Sequence, residues 1–152
     1  MSVDFYLAMP ATNWPTRAAV QQCMAVHAYP LQIKRFPSLN GNHVVTDGVL
    51  AVIDGKDAYL DGELSLASAM PTEMKAINDR LNAAASPEKI NPGEALMSVR
   101  VRSPTEMRAA SYVISALIVC FDGFGFEPQG NTSGRADFAL PLISGAETLK
   151  NL

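Results

Sequence analysis

The stretch Ser103–Gly123, SPTEMRAASYVISALIVCFDG, decides the fold. Ser103 suits the N-cap, Pro104 the first helical position, and Glu106 stands three residues after the cap, where a capping box places its acid. From Ala109 to Phe121 there is no charge, and only Ser111, Ser115 and the Tyr112 hydroxyl interrupt the apolar surface. Asp122-Gly123 ends the run, with Gly123 free to take the left-handed conformation beyond it. A helix apolar on nearly every side is buried on nearly every side. The pattern predicts a central buried helix over 104–121, with a sheet against one side and other elements against the other.

Upstream of this helix, 95–102 alternates as a strand: Ala95, Met97, Val99 and Val101 inward, Ser98, Arg100 and Arg102 outward. Val3–Met9 alternates in the same way and Pro10 ends it. Asn13–Thr16 then opens a helix to about Ala28, with Val20, Cys23, Met24 and His27 on one stripe. Leu31–Phe36 reads as a short strand. Three Asp-Gly pairs follow at 47, 54 and 61. Asp54-Gly55, between Val49–Ile53 and Ala58–Leu60, is the strongest hairpin turn; the equal spacing of the three pairs is either accident or a small meander in which Asp61-Gly62 makes a bulge. Pro71 to about Ala85 is an amphipathic helix with Met74, Ile77 and Leu81 inward, and 86–94 is a loop.

Downstream, Phe124–Glu127 reads as a short strand and Pro128–Arg135 as a polar loop. Ala136–Ile143 reads as an edge strand limited by Pro141, and Ser144–Leu152 as a terminal turn. The sum is a single α+β domain over 1–152, a mostly antiparallel sheet with about three helices. PTEMKA at 71–76 and PTEMRA at 104–109 echo each other. Repeated helix-start chemistry accounts for this. The sharper reading is a duplicated strand-helix unit, VDFYLAMP…WPTRAAV against LMSVRVRSPTEMRAA, which predicts a pseudo-twofold fold.

A length of 152 residues supports one domain with a sizeable core. The net charge of −3 argues against a general nucleic-acid binder, which needs clustered cations. The uncharged core of the central helix is shorter than the roughly 20 residues of a membrane span, so no membrane is expected as a partner. MSVDFYLAMP lacks the basic start of a signal peptide. Cys23 and Cys120 fall within predicted helices among apolar neighbours and read as buried free thiols, which suits a cytoplasmic location.

Cys23 and His27 lie four apart and share a helix face, the spacing of an activated thiol or half a metal site. That face is the apolar one, and the sequence offers no further ligands beside it. A core histidine is the favoured reading, with no metal, no cofactor and no catalytic residue. The aspartates at 47, 54, 57 and 61 miss the calcium-loop pattern. The glycines at 123, 125, 130 and 134 follow a helix, so they form no phosphate-cradling loop. The polar loop after the central helix carries Glu127, Gln129, Asn131, Arg135 and Asp137, and such loops often carry recognition. Trp14 is a hydrophobic staple or an aromatic anchor for a partner. Arg100 and Arg102 share an outer sheet face, solvated or in contact with an acidic partner.

The order of elements, with Ser115–Gly130 (SALIVCFDGFGFEPQG) as its tail, resembles small bacterial α+β immunity proteins encoded beside polymorphic or secreted antibacterial toxins. The resemblance covers mainly residues 95–130. It implies a non-catalytic protein-binding module that neutralises a toxin partner, and it transfers no contact residue. The residues themselves nominate Trp14, Glu127, Gln129, Asn131, Arg135 and Asp137 as partner contacts. Two other readings stand beside it: a small enzyme or ligand-binding domain with a pocket near Cys23 and His27, and a homodimer pairing through an edge strand near 136–143.

Overall fold

The computed structural model describes residues 2–150. Among them are seven strands: β1 (Val3–Pro10), β2 (Gln32–Arg35), β3 (Val49–Ile53), β4 (Lys56–Leu66), β5 (Glu94–Val101), β6 (Phe124–Glu127) and β7 (Thr132–Gly134). There are four helices: α1 (Arg17–Val26), α2 (Pro71–Ala83), α3 (Pro104–Phe121) and α4 (Ala136–Leu149). The strands form one antiparallel sheet in the order β2-β3-β4-β5-β1-β6-β7. The α+β class stands, with four helices in place of three.

The two best-alternating segments, β1 and β5, pair along their whole length, Val3 opposite Val101 and Pro10 opposite Glu94. Each is the first strand of a split β-α-β unit. The unit β1-α1-β4 holds β5 between its strands, and β5-α3-β6 holds β1 between its own. Helices α1 and α3 pack into the same apolar cluster on one face. The two units share this crossover connectivity, except that β2 and β3 intervene between α1 and β4, whereas α3 leads directly into β6.

That first face holds the main core. Phe5, Leu7, Met9, Leu60, Met97 and Val99 point from the sheet at α1, α3 and α4. Helix α3 is buried continuously from Arg108 to Ile118. Ser103 Oγ accepts from Glu106 N at 3.1 Å, and Glu106 Oε1 accepts from Arg102 N just before the cap. At the other end the left-handed residue is Asp122 (φ 61), not Gly123. A short polar side chain tolerates that conformation.

The second face is covered only in part. Ala8, Leu96, Phe124 and Phe126 meet Met70, Ile77 and Leu81 of the α2 region, with Ile90 below. Asn78 pins the 86–92 loop there: its Nδ2 donates to Ile90 O at 2.9 Å and its Oδ1 accepts from Ile90 N at 2.8 Å.

Three further expectations are corrected. Residues 136–143 are the first half of α4, not an edge strand. Pro141 costs an intrahelical bond, yet burial of Phe138, Ala139 and Ala146 in the main core outweighs it. With this segment helical, the homodimer through an edge strand at 136–143 loses its edge. Gly62 is no bulge: it sits in an unbroken ladder opposite Val99. A Cβ there would lie 1.8 Å from the Ser98 carbonyl oxygen, so only glycine fits so close to the neighbouring strand. Finally, Cys23 and Cys120 are not free thiols. They form a disulfide that ties α1 to α3 across 97 residues of chain. Asp54-Gly55 does turn the β3–β4 hairpin, with φ of 51 and 74, the signs a type I′ pair requires. Among the described residues no helix is long and apolar enough to cross a membrane.

Candidate functional site

Among the described residues no helix covers the second face of the sheet beyond α2, and its side chains run in rows across the strands. Strand register sets Asp4 on β1, Arg100 on β5 and Asp61 on β4 side by side. Arg100 Nε donates to Asp4 Oδ1 at 3.0 Å, and Arg102 Nη2 donates to Asp61 Oδ2 at 3.0 Å. The next row is Tyr6, Ser98 and Glu63. With Glu73 from α2, these rows line a cleft of about 400 Å³. The cleft presents four carboxylates, Asp4, Asp61, Glu63 and Glu73, against the single guanidinium of Arg100.

Burial pushes the Tyr6 phenol up, and the charges of Asp4, Glu73 and Glu63 push it further. Its hydroxyl therefore stays a protonated donor at neutral pH. The hydrogen bond that Arg100 donates to Asp4, and that carboxylate's charge, raise Arg100. Towards the β2 edge, Arg35 lies 5.9 Å over the ring of Tyr59, which is 42% exposed. Ion pairs this accessible contribute only about 0–1 kcal/mol each to folding. The row is thus little needed for stability and is available for contact with something else.

The residues nominated from the sequence are placed very differently. Trp14 is half-buried; its Nε1 donates to Pro37 O at 2.9 Å and its ring stacks on Phe36 at 5.3 Å. Glu127 accepts from Gly130 N and closes the β6–β7 turn. Asn131 takes the left-handed conformation in that turn, φ 51, and is exposed. Arg135 is a strap: it donates to Glu88 at 2.6 and 3.1 Å and to Asp122 O at 2.9 Å, and covers the Phe124 ring. Asp137 Oδ1 accepts from Arg135 N at the start of α4. Only Gln129 reaches the open face, where it accepts from Asp4 N at 3.3 Å. Asp4, Tyr6, Glu63 and Glu73 were not singled out from the sequence as site residues. Their signal was the outward parity they share with Arg100, which becomes legible only with strand register.

A second constellation lies on the other side of the molecule. Helix α1 stops at Val26, so His27 leaves the apolar stripe and is exposed, stacked on Tyr29 at 5.4 Å. It is not a core histidine. One ligand atom each from Cys23, His27 and Cys120 lies within 4.8 Å of the others. No family model, no curated protein and no solved structure gives a significant match to this chain.

Proposed function

We propose that this chain is a non-catalytic protein-binding module of the immunity type, which neutralises a toxin partner by covering it, and that the open half-face of the sheet is the contact surface. The observation that supports this is the ordered row Asp4–Arg100–Asp61, carried on paired strands and uncovered by any element among the described residues. A rigid sheet presents such a row with little conformational cost on binding. The excess of carboxylates in the cleft selects a partner that places a basic side chain there, while Tyr59 supplies an exposed aromatic anchor of the kind enriched in binding hot spots. The cytoplasmic location expected from free thiols loses that support, because Cys23 and Cys120 are paired and disulfides persist in oxidising compartments.

The test is affinity capture from native lysate with three baits: the unaltered chain, an Asp61→Lys/Glu63→Lys variant, and a Gln129→Ala/Asn131→Ala variant. One dominant partner retained by the unaltered and loop-altered baits, and lost from the face-altered bait, is the expected result. A partner held equally by the face-altered bait removes this surface from the reading.

A further inference from the structure

We propose that the Cys23–Cys120 disulfide is the oxidised form of a zinc site whose third protein ligand is His27. This goes beyond the partner-binding reading and uses none of its residues. The three side chains come from two elements that the fold brings together. Cys23 lies on α1, His27 caps the same helix one turn later, and Cys120 lies in the last turn of α3. Their ligand atoms are already clustered within 4.8 Å.

The geometry accommodates both forms. Zn–S bonds of about 2.3 Å in a tetrahedral site place two sulfurs about 3.8 Å apart. The Cα atoms of Cys23 and Cys120 are 6.3 Å apart, so side-chain rotation alone can separate the sulfurs once the bond between them is broken. Cys23 is 5% exposed, whereas Cys120 and His27 are exposed, which gives one dry side and one open side. The open side admits a reductant and the ion, and leaves solvent to fill the fourth position. Two cysteines, one histidine and a water form a zinc ligand set. The Cys23 sulfur lies 3.6 Å from Ala116 O. It has no proton to donate there while oxidised, and gains one as a thiol.

The chemistry balances with a thiol reductant. Two reductant thiols give two electrons and two protons to the Cys23–Cys120 bond and leave as their own disulfide. Zn²⁺ then binds the two sulfurs and the neutral imidazole, and both thiol protons pass to solvent. The site therefore reads the thiol balance of its surroundings: oxidised, a covalent staple between α1 and α3; reduced, a metal staple in the same place.

The experiment takes the full chain, reduces it with a phosphine, removes the reductant under inert gas and titrates in Co²⁺ and then Zn²⁺. The expected result is a thiolate-to-cobalt charge-transfer band that saturates at one ion per chain, is displaced by Zn²⁺, and is absent from the oxidised chain. His27→Ala, a change at an exposed position, should weaken binding by at least about tenfold, the smallest loss typical when even an outer partner of a ligand is removed. Circular dichroism follows the fold throughout. No uptake by the reduced chain overturns the proposal. So does equal uptake by His27→Ala, and so does a reduced chain that unfolds and stays unfolded when Zn²⁺ is added.

Discussion

The two faces of this sheet are made by the same strands and do different things. On β5, Met97 and Val99 point into the main core, while Ser98 and Arg100, one residue along, point into the open cleft. The helical face is dry and interlocked, so any lost atom leaves a cavity. The open face is a row of paired charges that water already solvates. Strand alternation gives both faces equal order; the covering helices alone decide which carries stability and which is left for recognition.

Substitutions can break this contrast. Leu117→Ala, at a fully buried position near the C-terminal end of α3, should cost about 3–4 kcal/mol through lost transfer energy and the cavity left behind. Ile77→Ala, in the smaller cluster under α2, should cost about 2 kcal/mol, because that layer is thinner and freer to close. Denaturant titration reads both, and a reversed order would mean that α2 carries the core. Tyr112→Phe should cost about 1.5–3 kcal/mol, the value of a hydrogen bond to a carboxylate, here donated by the Tyr112 hydroxyl to Glu147 at 2.6 Å.

Tyr112 also sharpens the contrast through pH. Burial, then the Glu147 hydrogen bond and charge, holds its phenol up to about 12, against about 10 in the unfolded chain. The folded state therefore keeps the proton longer. The resulting stability is whole below about pH 10 and drains as pH rises from 10 towards 12. The stability gap between the natural chain and Tyr112→Phe should narrow across that window; a constant gap would show that the phenol is not held in the core. The smallest effect belongs to the open face. Arg100→Ala or Arg102→Ala should change stability by no more than about 0.5 kcal/mol. A loss above about 1.5 kcal/mol in the same titration would make the row structural.

Legibility in the sequence followed the same divide. Helix α3 was plain because thirteen uncharged residues follow a complete capping box. Strands β1 and β5 were plain because apolar residues recur at every second position through Val3–Met9 and Ala95–Val101. Helix α4 was not, since Pro141 and Gly145 both speak against a helix, and only packing on α3 outvotes them. The disulfide joins residues 97 apart, and nothing local to either cysteine announces the other. Glu127, Arg135 and Asp137 looked like recognition residues because polar side chains in a loop look alike until their partners are known. Here their partners are Gly130, Glu88 and the backbone of Arg135 itself. Arg100 was visible as an outward residue. Its place between Asp4 and Asp61 was not, because a row across three strands is a property of register.

The interleaving of the two β-α-β units has a consequence for how the chain is made. Strand β1 lies between β5 and β6, and both leave the ribosome after it. About 80 residues separate Pro10 from Glu94, which at roughly 5–20 residues per second is about 4–16 s of synthesis. Through that interval β1, with Phe5, Leu7 and Met9, has no native strand partner, and it gains its second only when Phe126 emerges. The nascent protein therefore cannot mature from front to back. Its earliest strand is a held place, filled from both sides by the last two-fifths of translation.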